Sequence, residues 1–333
     1  MVERTMDMKA GMKMIIDIVG AGSLGLLFGG KLQAAGESVR FWTRTSEQAD
    51  QLKQKGIIMI DNLCELHIKS NEIQAGPTTE LTDTWNKAPG DWILLTIKQT
   101  HLDEFIDQIN TLNNHHLKIA CFQNGIGHLK KLQEVLPYSL IYSAITTEGA
   151  KRTQAQVQRA GSGETRLGLS KTLTVSTEEE NGEEQIIPLA KVMQQAGFDC
   201  TVSNEIDKLV YRKLLINGVI NPLTAIWRIP NGELLNKKER VRIMRQLYDE
   251  TLTVYMAMGI QLEGDLWEQV RGVCRDTASN TSSMLADVLH KRTTEVESIN
   301  GSIIRMAQQF NLEVPTHEVV LHLIQGMQSE GVS

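Results

Sequence analysis

A short apolar run, MIIDIV at residues 14–19, passes without a spacer into Gly20-Ala21-Gly22-Ser23-Leu24-Gly25, and residues 26–35 follow with helical character. A G-x-G-x-x-G set between a strand and a helix makes three demands. The first glycine makes a tight turn, the second lets a ligand approach the backbone, and the third lets the helix pack close to the sheet. The amides of the helix N-terminus have no partner inside the helix, so they face whatever anion the loop wraps. Gly20, Ala21, Gly22, Ser23, Leu24 and Gly25 are therefore expected to hold the pyrophosphate of a dinucleotide. The plainer reading is a glycine-rich turn in an ordinary α/β protein. Strand, helix and a second strand arriving in order argue against it.

That second strand, SVRFWT at residues 38–43, bears on which dinucleotide is bound. An NAD-binding unit usually carries an acid at this strand end to accept from the ribose 2′-OH. Thr43 and Arg44 stand there instead. A guanidinium suits a 2′-phosphate, so NADPH is favoured over NADH. The alternative makes Arg44 a solvated loop cation.

Strands and helices alternate from residue 14 to about residue 203. A polar helix is expected at 46–55 and a strand hairpin at 57–61 and 65–68. The continuous apolar run WILLTI at 92–97 reads as a buried strand. Further strands are expected at 118–121, 140–143, 154–159, 165–169 and 200–202, with an acidic surface loop at 174–185 leading into a helix at 184–196. After residue 204 only helical patterns appear, at 205–220, 237–258, 266–274, 283–290 and 295–310. The expected fold class is α/β: a Rossmann-type doubly wound sheet over residues 14–203, then an all-helical domain over 204–330. A ligand would lie between them, outside the carboxyl ends of the strands.

The first of these helices carries an unusual stripe. Lys213, Asn217 and Asn221 are spaced four residues apart, within a run whose other members (Leu214, Leu215, Ile216, Val219, Ile220) suit only a core. At about 100° per residue the three stay on one face. A cation and two amides buried without partners would be costly, so an oxygen-rich ligand is a candidate partner. Two strand ends offer more polar groups at the same edge: Lys98 in TIKQT and Asn124 in FQNG, either of which could equally be an ordinary turn residue. Asn280 and Ser283 lie in NTSSM, where a helix cap explains the residues equally well. Glu295 opens a helix, where the macrodipole alone would favour it.

Length and composition bound the rest. The 333 residues suggest two domains, and a formal net charge of −6 leaves no electrostatic footprint for nucleic acid or an anionic membrane. Four scattered cysteines read as small core residues of a reducing compartment, the cytoplasm, and the eight histidines show no metal-ligand spacing. Lys9 and Lys13 before an apolar stretch resemble a signal peptide, but Asp17 interrupts the apolar run and the phosphate loop accounts for it. Residues 1–13 are expected to be a loose tail before the first strand, with Met12 or Met14 as alternative starts.

Taken together, GAGSLG, KQT after a strand, QNG, RKLLINGVINPLTAIWRIPNGEL, NTSSM and TTEVESINGSII resemble the ketopantoate reductases, from about residue 14 to the C-terminus and with every motif in order. The KLLINGVINPLTA block is specific to that family, whereas the glycine motif is not. The resemblance implies a Rossmann domain that binds NADPH and a helical domain that closes over ketopantoate. It implies Lys213 as the catalytic lysine and Glu295 as the carboxylate that holds the substrate hydroxyl. Asn217, Asn221, Asn280 and Ser283 resemble the polar substrate contacts, and Lys98 and Asn124 the pair near the nicotinamide and the reacting carbonyl.

The implied reaction is reduction of 2-dehydropantoate to pantoate, serving pantothenate and coenzyme A synthesis. Three alternatives stay open. One is a reductase of another 2-keto acid. A second is a hydroxyacid or polyol-phosphate dehydrogenase, which would want more cations than the INGVINP face offers. The third is a non-catalytic NADPH sensor, which would have no need of Lys213 and Glu295. Apolar positions in residues 237–258 suit either a homodimer contact or core packing.

Overall fold

The computed structural model describes residues 13–61, 64–153, 156–172 and 182–328. Residues 1–12 of the expected tail and residues 174–181 of the acidic loop lie outside the described residues. The α/β part runs β1 (Ile15–Val19), α1 (Ser23–Ala34), β2 (Ser38–Thr43), α2 (Ser46–Lys55), β3 (Ile57–Asp61), β4 (Cys64–Ile68), β5 (Gln74–Pro77), α3 (Leu81–Lys87), β6 (Trp92–Leu95), α4 (Leu102–Ile109), β7 (Lys118–Cys121), α5 (His128–Val135) and β8 (Leu140–Thr146). It continues with β9 (Gly149–Thr153), β10 (Gln156–Gly161), β11 (Glu164–Leu169), α6 (Gly182–Gln185), α7 (Ile187–Gln195) and β12 (Asp199–Val202). The helical part comprises α8 (Ile206–Trp227), α9 (Lys238–Ala257), α10 (Leu266–Asp276), α11 (Ser283–Leu289), α12 (Val296–Gln309) and α13 (Pro315–Met327).

Eight strands form one sheet in the order β12-β11-β8-β7-β6-β1-β2-β5. From β5 to β8 every pairing is parallel; β11 then pairs antiparallel with β8, and β12 runs parallel to β11. With the β3–β4 hairpin set aside, β1, β2, β5, β6, β7 and β8 follow the 3-2-1-4-5-6 order of a Rossmann sheet, which reverses between β1 and β6. That switch point opens the crevice into which the glycine loop projects.

Asp17 sits inside β1 without breaking it because its carboxylate is satisfied from the next strand. Arg40 donates from Nε at 2.7 Å and Nη2 at 2.6 Å, and Trp42 Nε1 donates at 2.6 Å. Arg40 is the register partner of Asp17 on β2, so alternation alone aims the two side chains at each other.

The expected hairpin forms, but it leaves the main sheet. β3 and β4 join β9 and β10 in a second sheet, in the order β4-β3-β10-β9. The expected helix at 184–196 is two pieces, α6 and α7, with Ile186 between them. The short β5 and β9, and helices α3, α4, α5 and α13, lay outside the sequence reading.

Helix α8 runs seven residues past its expected end at residue 220, straight through Pro222. A proline inside a helix removes the N–H that would bond to the carbonyl four residues back. Here that carbonyl belongs to Gly218, and Asn300 Nδ2 of α12 supplies the missing donor at 2.9 Å. Asn300 is fully buried. Its Nδ2 also meets His317 Nδ1 of α13 at 3.0 Å, and His317 Nε2 in turn meets Thr251 Oγ1 of α9 at 2.9 Å. Burial holds the His317 imidazole neutral, pushing its pKa down to about 4. A polar network spanning four helices thus carries α8 through its proline. Asn300→Ala is expected to cost about 1–3 kcal/mol, the price of an unpaired buried carbonyl, read as a lowered urea midpoint at constant m-value. An unchanged midpoint would mean the Gly218 carbonyl needs no donor.

Candidate active site

The glycine loop has the geometry its sequence demands. Gly20 takes φ +104°, and a Cβ there would press on the backbone of Thr96 and Ile97 at the end of β6. A Cβ on Gly25 would collide with the Gly20 carbonyl and stand 2.6 Å from Thr96 Oγ1. Gly22 differs, because nothing lies within 4 Å of where its Cβ would point. Gly22 is also the N-cap of α1 and brings no side chain to the first amides. The loop is therefore tight behind and open in front, as a wrapped pyrophosphate requires. A cavity of about 280 Å³ opens there, lined among others by Gly20, Ala21, Gly22, Arg44, Lys98 and Arg152. Arg44 is exposed at its rim. These residues fit a dinucleotide.

Across the crevice, four of the expected site residues tie the two parts of the molecule together. Lys98, just past β6, pairs with Asp287 of α11 at 2.7 Å and donates to the Thr293 carbonyl at 2.9 Å. Asn124, just past β7, donates from Nδ2 to Glu295 Oε2 at 2.9 Å. The Asn124 backbone is steadied by Gln99, whose Nε2 reaches its carbonyl at 2.6 Å. Gly125 follows at φ +83°, where any Cβ would strike the Ser298 carbonyl at the start of α12. Lys213 of α8 donates to the Thr146 carbonyl at the end of β8, 3.0 Å away. The carboxyl ends of β6, β7 and β8 thus each meet the helical part through a polar contact.

The charges in this crevice are poorly solvated. Desolvation pushes the Lys213 ammonium down to about 8, against the pull of Glu295. Burial raises the Glu295 carboxyl above its ordinary value. The Asn124 hydrogen bond and the cations Lys98 and Lys213 act against that rise, and Asp287 adds to it. Lys98, Asn124, Lys213 and Glu295 therefore form one electrostatic unit.

The remaining expected residues are less closely joined. Asn217 is half-buried and Asn221 buried along the same face of α8 as Lys213. Asn280 and Ser283 are exposed, and among the described residues neither side chain has a hydrogen bond to Lys213, Asn124 or Glu295. The cap expected in NTSSM is Ser282, which accepts from the Leu285 amide at 3.1 Å and meets Thr224 Oγ1 at 2.7 Å. That leaves the Ser283 hydroxyl outside the cap. Asp287 was missed. Its sole signal was its position four residues after Ser283, and an acid on a short helix reads as solvated.

The family model for ketopantoate reductase PanE/ApbA matches residues 16–172, and the model for its C terminal matches residues 205–328. A 2-dehydropantoate 2-reductase of Listeria innocua is 31% identical over 317 residues, covering 95% of this chain and 97% of the relative. The chain belongs to the ketopantoate reductase PanE/ApbA family. It is an NAD(P)-dependent oxidoreductase, of a family that reduces 2-keto acids. The crystal structure of a probable 2-dehydropantoate 2-reductase from Bacillus subtilis is similar at TM-score 0.75 and 26% identity, over 94% of this chain and 99% of that one. D-mandelate dehydrogenase, solved with NADH and anilino(oxo)acetate, shares the fold at TM-score 0.81 and 24% identity, over 95% of this chain and 98% of that one. Among the described residues no helix is long and apolar enough to cross a membrane.

Proposed function

We propose that this chain reduces 2-dehydropantoate to pantoate with NADPH, as a step of pantothenate and coenzyme A synthesis in the cytoplasm. The observation that carries this reading is that Lys213, held on the Thr146 carbonyl, and Glu295, held by Asn124, lie within electrostatic reach of each other where both are poorly solvated, in the same crevice as a cavity suited to a dinucleotide. Relatives named 2-dehydropantoate 2-reductase, matched over nearly their whole length, support it.

The chemistry that bound NADPH supplies is a hydride for the keto carbon. As negative charge grows on the carbonyl oxygen, the Lys213 ammonium stabilises it and then donates its proton. The Thr146 carbonyl, 3.0 Å from Nζ, holds that ammonium in place. Asn217, Asn221, Asn280 and Ser283 offer neutral donors to a substrate carboxylate and so add no second charge beside the lysine. Lys98 lines the cavity that would hold the cofactor, and Asn124 stands beside Glu295. Glu295 accepts from the substrate hydroxyl.

Two expected outcomes follow. Lys213 acts only while protonated, and its pKa lies at about 8, so kcat/KM is expected to be level below that pH and to fall tenfold per unit above it. A profile still level at pH 10 would remove the lysine as the acid. Glu295→Gln is expected to lower kcat/KM about 10–100-fold for 2-dehydropantoate and far less for 2-ketoisovalerate, which lacks the hydroxyl. Equal losses on both substrates would remove Glu295 as the discriminator.

The deciding experiment follows NADPH oxidation by absorbance with 2-dehydropantoate, pyruvate and 2-ketoisovalerate, and with NADH as the control. Turnover confined to 2-dehydropantoate and NADPH is expected. A second reading, a reductase of another 2-keto acid, draws on the fold shared with D-mandelate dehydrogenase, and Lys213 would serve it equally well. Faster turnover of another acid would favour it.

A further inference from the structure

Strands β9 and β10 have no place in a plain alternation of strand and helix, yet they pack on α1, the helix that follows the phosphate loop. Val157 of β10 is fully buried in the α/β core, and its register partner on β9 is Arg152. Directly opposed residues of an antiparallel pair point to the same side. Arg152 therefore faces α1 and the glycine loop, not the outer surface. Its Nη1 donates to the Ala21 carbonyl at 2.5 Å, and Gln48 Nε2 donates to the same oxygen at 2.8 Å.

That shared oxygen locates Arg152. Gln48 lies in the first turn of α2, capped by Thr45 directly after Arg44. Arg152 has thus been brought to the β2–α2 side of the loop, where a Rossmann unit receives the ribose 2′ position. Arg44 and Arg152 line one cavity. The second sheet is clamped where it must be to deliver this side chain. Lys31 of α1 pairs with Asp61 of β3 at 2.6 Å, Arg159 of β10 reaches Asp61 at 3.2 Å, and Arg159 also pairs with Glu148 at 2.5 Å. Burial lowers the Arg152 guanidinium from an arginine's ordinary pKa. The planar fork of a guanidinium matches phosphate oxygens.

We propose that Arg152 is a second guanidinium for the 2′-phosphate of NADPH, opposite Arg44, and so a determinant of cofactor specificity carried by the second sheet. The proposal rests on the NADPH reading above. Its rival is a structural role for Arg152, bracing the Ala21 carbonyl, which would affect every dinucleotide alike.

The test uses the full chain with Arg152→Gln and Arg152→Lys, and Arg44→Gln as a reference. Dissociation constants are measured by fluorescence for NADPH and NADH, and by competition for 2′,5′-ADP and 5′-ADP. Arg152→Gln is expected to weaken NADPH and 2′,5′-ADP about 10–100-fold and NADH and 5′-ADP less than about threefold. Arg152→Lys should recover part of the loss, since it keeps the charge but not the fork. Equal weakening of all four ligands, or of none, overturns the proposal. Should Arg152→Gln fail to fold, Arg152→Lys must still weaken NADPH while sparing NADH. A wild-type chain that does not distinguish 2′,5′-ADP from 5′-ADP would overturn the NADPH reading as well. A wild-type chain that does distinguish them, with Arg152→Gln distinguishing them equally, would overturn only the role of Arg152.

Discussion

Lys213→Ala is expected to lower kcat for keto-acid reduction by about 10³-fold or more, because one side chain supplies both the proton and the charge that meets the developing oxyanion. NADPH affinity should stay within about threefold of wild type, since the nearest partner of Lys213 is the Thr146 carbonyl and the lysine lies outside the cavity at the glycine loop. The check is single-turnover hydride transfer beside a fluorescence titration of NADPH on the same preparation. Loss of NADPH binding would reassign the lysine to the cofactor. Retained turnover would mean that another group donates the proton. The fold should tolerate the change: Lys213 is half-buried, and its removal takes one donor from the Thr146 carbonyl and leaves no cation in a poorly solvated place.

The second large effect concerns the glycine loop. Gly25→Val is expected to weaken NADPH and NADH together by about 100-fold or more. Its Cβ would collide with the Gly20 carbonyl, which is backbone and cannot rotate away, and would crowd Thr96 Oγ1. Thr96 Oγ1 donates to the same Gly20 carbonyl at 2.7 Å, so the loop and the end of β6 would have to move apart. Calorimetry of cofactor binding, with the melting temperature alongside, checks this. Full cofactor affinity would show that the loop shifts without cost. At Gly22 the open space predicts the contrast: a Cβ there meets no protein atom, so any loss on Gly22→Ala would come from the ligand side.

Much of the α/β region was legible because its signals are local. MIIDIV and WILL are continuous apolar runs, and a strand covered on both faces needs no other mark. The loop GAGSLG is a set of backbone demands that only glycines meet. The α8 stripe was legible through its period, since Lys213, Asn217 and Asn221 stand out against an otherwise apolar helix. What escaped was weak locally. β5 and β9 are short strands held by their neighbours in the sheets. The end of α8 was misplaced because Pro222 signals a stop in sequence, and its remedy, Asn300, lies 78 positions along the chain. NTSSM offered two serines with one cap to fill, and only the contact with Thr224 assigned the cap to Ser282.

Sequence alone therefore determined the class of fold and the geometry of the glycine loop, and singled out the candidate side chains, because each follows from spacing within a few turns of chain. Tertiary structure decided which of those side chains share an environment. It joined Lys98 to Asp287, Asn124 to Glu295 and Lys213 to Thr146 across the crevice. It also brought Arg152 from a strand of the second sheet onto the Ala21 carbonyl. The physical reason is range. Turn geometry and helical periodicity act over a few residues, whereas desolvation and ion pairing depend on what the folded chain brings within a few ångströms, whatever the distance in sequence.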